Sequence, residues 1–91
     1  MATSFEDYQA TMTSLGYDET VVREWQPLQQ VGDHSHPFDV KAMVVQGEMF
    51  LTCGDATRHL LAGDSFDLVR DEPHSERYGA EGATFWVGRR H

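Results

Sequence analysis

From Val21 onward, turn-forming residues punctuate the chain at roughly the 8–12-residue intervals of short strands in a β-sandwich or barrel, leaving little room for helices. VVREWQPLQ reads as a strand that Pro27 pushes toward an edge. Phe38 to Val45 reads as a second, after which Gly47 lets the chain turn into EMFLTC. CGDA is a hairpin turn, TRHLL a strand, AGD a turn into SFDLV and RDEP a turn into HSERY; after GAEG the run ATFWVG closes the set. About seven strands in one open sheet would leave exposed edges, so a curled or closed barrel is expected.

Only the N-terminal stretch reads as helix. Ser4 followed by Glu6 and Asp7 resembles a helix start, Phe5, Tyr8, Met12 and Leu15 fall roughly at helical spacing, and Gly16 is a stop. That stripe is a packing face, read here as part of a lid or a dimer contact. The expected architecture is all-β in one domain, residues 1–91, with a helical extension over 1–20 and a β-barrel over 21–88. Ninety-one residues with 40% hydrophobic content are too few for two separate cores. A chain this short buries only about 60–65% of its unfolded surface, so added stability from a bound metal or a partner subunit is expected, with a homodimer as the default.

Fifteen acidic against seven basic side chains give a formal charge of −8, and the basic residues are scattered apart from Arg89 and Arg90. Such a surface repels a phosphate backbone, so no nucleic-acid partner is expected. The N-terminus has no basic region followed by an apolar run, and the apolar stretches are far too short to span a bilayer. No membrane association and residence in the cytoplasm follow as expectations. The single cysteine, Cys53, has no partner for an internal disulfide and reads as a small apolar strand residue.

Histidine carries the chemistry. His34-Ser35-His36 is placed at the opening of the second strand, where alternation points both imidazoles the same way. The pair alone fits a metal clamp or two surface histidines in the polar turn after Gly32-Asp33. His74 decides between them: it begins another strand after an X-Pro turn, nearly forty residues on, as suits a neighbouring strand of one barrel. On that strand His74, Glu76 and Tyr78 share a face. Glu76 is open to four roles: orienting a ligand histidine, acting as a substitute fourth ligand, acting as a general base, or meeting solvent at the rim. Tyr78 either donates to a substrate oxygen or caps the core. Trp25, Phe50, Phe66, Phe85 and Trp86 read as barrel packing, and His59 and His91 as solvent-exposed.

These features resemble the cupin superfamily over roughly Trp25 to Val87. The first cupin motif is met by His34, His36 and Gly47, with Val40 where the family has glutamate and Gly32 only two residues ahead of the histidines. The second is met by Gly63 and His74, with Val69 at the proline, Asp71 at the glycine and Tyr78 at the asparagine. The resemblance implies a jelly-roll-like barrel holding one divalent transition metal, iron, nickel, zinc, manganese or copper, on His34, His36 and His74. A site of three neutral histidines keeps the ion's two positive charges, whereas a carboxylate ligand would leave one, which favours an anionic ligand. The implied function is a mononuclear metalloenzyme, oxygenase-like first and lyase or isomerase next, acting on a small anionic or oxygenated molecule. The alternatives are a non-catalytic ligand-binding or sensory module and a barrel that serves only as an oligomeric scaffold.

Overall fold

The computed structural model describes residues 4–91; Met1 to Thr3, counted above in the helical extension, lie outside them. The elements in order are α1 (Phe5–Ser14), β1 (Glu19–Trp25), β2 (Gln30–His34), β3 (Asp39–Cys53), β4 (Ala56–Leu61), β5 (Ser65–Leu68) and β6 (His74–Arg90). All ladders are antiparallel, and the two long strands β3 and β6 pair along most of their length. The first half of β3 pairs β5 and its second half pairs β4. The first part of β6 pairs β2 and its last part pairs β1. Two bent strands thus serve two faces of one barrel and leave fewer open edges than a flat sheet would.

Glycine makes the bends. Gly47 and Gly82 take left-handed φ values of 79° and 69°, and a Cβ on Gly47 would run into the Gly82 carbonyl. The β3/β6 register shifts on both sides of this point, between Val44 and Gln46 and between Gly47 and Met49. The shift reverses the phase of burial: Val40, Ala42 and Val44 face inward before it, Met49 and Leu51 after it. On β6 the phase reverses likewise, from His74 and Tyr78 to Ala83, Phe85 and Val87. The expected turns at Gly47 and GAEG are therefore corrected to bulges within continuous strands. The expected turn at CGDA does reverse the chain, between β3 and β4, whereas AGD forms a turn without reversal, because β4 and β5 both run antiparallel to β3 and follow one another along it.

Helix α1 starts as expected, with the Ser4 hydroxyl accepting from Asp7 N at 3.1 Å. Tyr8 and Met12 are buried, Phe5 and Tyr8 pack on the Trp86 ring at 6.0 and 5.8 Å, and the Tyr8 hydroxyl donates to the Lys41 carbonyl at 2.8 Å. Trp86 lies on the outward side of β6, between inward Phe85 and Val87, so the helix closes the outside of the barrel. This corrects the lid reading: none of its residues reaches the central cavity. Phe50 also departs from expectation. It faces outward, stacked on His59 at 4.4 Å with the Arg77 guanidinium 4.0 Å from its ring centre.

Candidate metal centre

His34 is the last residue of β2, and its partner across the ladder is His74, the first residue of β6. His36 lies beyond the strand, in the connection to β3, which corrects the expectation that one strand carries both members of the pair. Two backbone contacts fix this connection. Asp71 N donates to the His36 carbonyl at 2.8 Å, and Arg70 N donates to the Asp39 carboxylate at 2.7 Å, binding it to the turn that precedes His74. Asp71 has a left-handed φ of 64°, at the position where the cupin motif has glycine. Aspartate tolerates that region better than most side chains.

The three imidazoles converge. One ligand nitrogen from each of His34, His36 and His74 lies within 4.8 Å of the others, and the ring centres are 4.2 to 5.1 Å apart. His34 Nδ1 lies 2.7 Å from the Gly32 carbonyl and His74 Nδ1 2.9 Å from the Glu72 carbonyl. A carbonyl oxygen only accepts, so both Nδ1 atoms carry the proton and donate. In the neutral ring each Nε2 then presents a lone pair, the tautomer and orientation that a metal-ligating histidine needs. His74 is 2% exposed and its Nε2 is buried without a hydrogen-bond partner, a donor set that a cation would satisfy. His36 stacks on Phe38 at 5.0 Å. Burial, then the neighbouring His74 and His34, hold its pKa below the usual 6.5 and favour the neutral form that can ligate.

Glu76 lies in the cavity wall. Its side chain is 8% exposed, with Oε2 3.5 Å from His34 Nε2. With its proton on Nδ1, His34 presents the Nε2 lone pair toward this carboxylate, as two donors to one ion would be placed. For comparison, two donors each about 2.1 Å from one tetrahedral ion sit roughly 3.4 Å apart. Tyr78 is 1% exposed and outside the cavity lining, stacked between Trp25 at 5.3 Å and Phe85 at 6.0 Å. Burial, then the Glu76 carboxylate, push its phenol well above the ordinary range, so it stays protonated. His59 and His91 lie away from the cluster, paired with Glu48 at 2.7 Å and Glu19 at 3.1 Å.

A cavity of about 210 Å³ opens from the triad, walled by Val40, Phe66, Leu68, Phe85 and Val87. Trp25, Arg23 and Arg89 also line it. Trp25, expected in the packing, thus also faces the cavity, and the two arginines join it without having been expected there. Their signal was alternation: Arg23 is two residues from Trp25, and Arg89 two from Val87. Cys53 is a half-buried strand residue, and burial raises its thiol pKa, as befits an unreactive thiol.

No protein-family model and no curated protein matches the sequence. Solved structures do. The DMSP lyase DddQ from Ruegeria pomeroyi matches with a TM-score of 0.73 at 22% identity, over 79% of this chain and 37% of its own. The cupin domain of Schizosaccharomyces pombe Cnp3 matches with 0.71 at 15%, over 78% of this chain and 50% of that one. A conserved Klebsiella pneumoniae protein with a double-stranded β-helix domain matches with 0.67 at 27%, over 78% and 64%. The chain therefore spans about a third to two thirds of these neighbours.

Proposed function

We propose that this cupin-fold chain binds one divalent transition-metal ion through His34, His36 and His74, with Glu76 as a fourth ligand, and uses it on a small oxygenated anion in the cavity. The observation that carries this is the Nδ1 pinning of His34 and His74 by the Gly32 and Glu72 carbonyls, which leaves both Nε2 atoms free to ligate beside His36, with Glu76 Oε2 3.5 Å from His34 Nε2. Glu76 supplies from β6 the carboxylate that the cupin motif carries on β3, where this chain has Val40. Three nitrogens and a carboxylate suit iron, nickel, zinc, manganese or copper.

When bound, the ion would polarise or activate an oxygen-containing ligand at its open positions. The protein's part is to hold four donors, exclude water with the Val40, Phe66 and Val87 walls, and keep the site's net charge at one positive unit. The role of Glu76 chooses among reactions. With Glu76 on the ion, no other carboxylate or imidazole among the residues lining the cavity is free to abstract a proton. Oxygenation, which needs no protein base of that kind, is then the reaction we put first. A lyase reaction of the sort named for DddQ would need Glu76 free as a base.

The same scarcity of free bases favours a second reading, a ligand-binding module without turnover. Elemental analysis of untagged, dialysed protein tests the site itself. About one equivalent of metal is expected, lost in His34→Ala, His36→Ala and His74→Ala; metal content unchanged in all three sinks the proposal. Oxygen uptake with small oxygenated acids then separates oxygenase from binding module.

A further inference from the structure

Resting on the metal site just proposed, we infer that Arg23 and Arg89 form a second anchor in the same cavity, and that the ligand is a short dicarboxylate: an oxygen-bearing acid head at the histidines and a distal carboxylate at the arginines.

The register puts both on one face of the β1/β6 ladder, with the Val21/Val87 pair between them. Arg23 pairs with Phe85 and Glu19 with Arg89 across β1 and β6, and Phe85 and Val87 are inward residues of the barrel. Alternation therefore puts Arg23 and Arg89 on the inward face as well, and both line the cavity that opens from the triad. The chain has seven basic residues against fifteen acidic, yet two of the seven point into one small apolar-walled space. Arg89 is engaged: it holds Glu19 at 3.3 Å, its guanidinium lies 5.2 Å from the Phe38 ring centre, and its side chain is 21% exposed. Arg23 is exposed at the mouth, lies 4.8 Å from the Trp25 ring centre, and has no carboxylate partner among the described residues. A guanidinium stacked on an indole keeps its fork oriented while its N–H groups remain free for a bidentate oxyanion.

The walls set the rest. Apart from the histidines, Glu76 and the arginines, the lining is apolar, Val40, Phe66, Leu68, Phe85 and Val87 among it, which suits a short methylene spacer and offers little to a hydroxylated chain. The volume of about 210 Å³ suits a small acid.

The test compares 2-oxoglutarate with 2-oxobutanoate, which share the metal-binding head and differ in the distal carboxylate, by calorimetric titration into zinc-loaded protein. The expected result is a preference of about tenfold or more for 2-oxoglutarate, the scale of one charge-assisted pair. In Arg23→Gln and in Arg89→Gln it should fall to about twofold or less, with metal content and metal-induced melting shift unchanged. A preference retained in both variants, or absent from the wild type, overturns the anchor. Zinc failing to bind the wild type would instead fell the metal reading. Glutarate titrated into metal-free protein then judges the arginines alone: binding that Arg23→Gln abolishes supports them, while no binding, or equal binding by the variant, overturns them.

Discussion

His74 and Tyr78 stand four residues apart on the inward face of β6, are 2% and 1% exposed, and each has a buried polar atom without a hydrogen-bond partner. Around His74 the neighbours are two more imidazoles, one of them facing the Glu76 carboxylate, at the edge of an open cavity. Around Tyr78 they are the flat faces of Trp25 and Phe85, with Glu76 near enough to bear on its phenol. An unsatisfied atom thus marks a ligand site where several donors face one space, and a packing compromise where rings enclose it. Leaving such an atom unpaired costs about 1–3 kcal/mol, and the two ends of this short segment, the open one at His74 and the packed one at Tyr78, meet that cost differently.

The largest effect should come from the packed end. Tyr78→Ala should destabilise the metal-free protein by about 3–5 kcal/mol in chemical denaturation, as expected for loss of a fully buried ring. A loss below about 1 kcal/mol would mean that Tyr78 is not a core element. Next, at the open end, His74→Ala should remove the stabilisation that metal gives, about 2.7 kcal/mol at a hundredfold excess over Kd. Retention of the full melting shift would erase the distinction between the ends.

Of these two positions, acid should act through the open one. The pKa of His36 is held below its ordinary 6.5 in the fold, so the unfolded chain takes up its proton first as pH falls. The stability tied to neutral His36 is complete above about pH 6.5 and is lost as pH drops through the folded value. Melting temperature of metal-free protein should therefore decline over that range, and the decline should be shallower in His36→Gln. Equal slopes would show that other groups govern the acid limb. The smallest effect should be that of Tyr78→Phe, which removes only the unpartnered hydroxyl: stability within about 1 kcal/mol and metal content unchanged. Loss of metal in that variant would move Tyr78 into the site.

Much of this fold was legible because turn chemistry is local. The turn after β3 at Gly54, the turn before β5 at Gly63 and the helix cap at Ser4 all stand where composition put them. What composition could not separate was a turn from a bulge. Gly54 and Gly47 have similar left-handed φ values of 60° and 79°; strands flanking Gly54 pair with each other, whereas both sides of Gly47 pair with β6. That difference is long-range. The histidines were legible as a spacing, and the resemblance to cupins carried them to one site. Glu76 was legible only as a residue on the face of His74, because whether it reached the cavity or the rim turned on strand twist. Arg23 and Arg89 were not singled out, since facing inward depends on which residues pair across β1 and β6.

The meeting of Gly47 with Gly82 also bears on how this chain can change length. Because both long strands reverse their inward phase at one level, deleting a single residue between Met43 and Met49 would send Val40, Ala42 and Val44 to solvent or strand Met49 and Leu51 outside. Drift in length is thereby confined to the connections, at residues 26–29, 35–38, 54–55, 62–64 and 69–73. Two of these adjoin the histidines. An insertion at 35–38 or 69–73 leaves the barrel intact and re-aims His36 or the turn before His74, so ligand choice can diverge in descendants of this sequence while their scaffold stays recognisable.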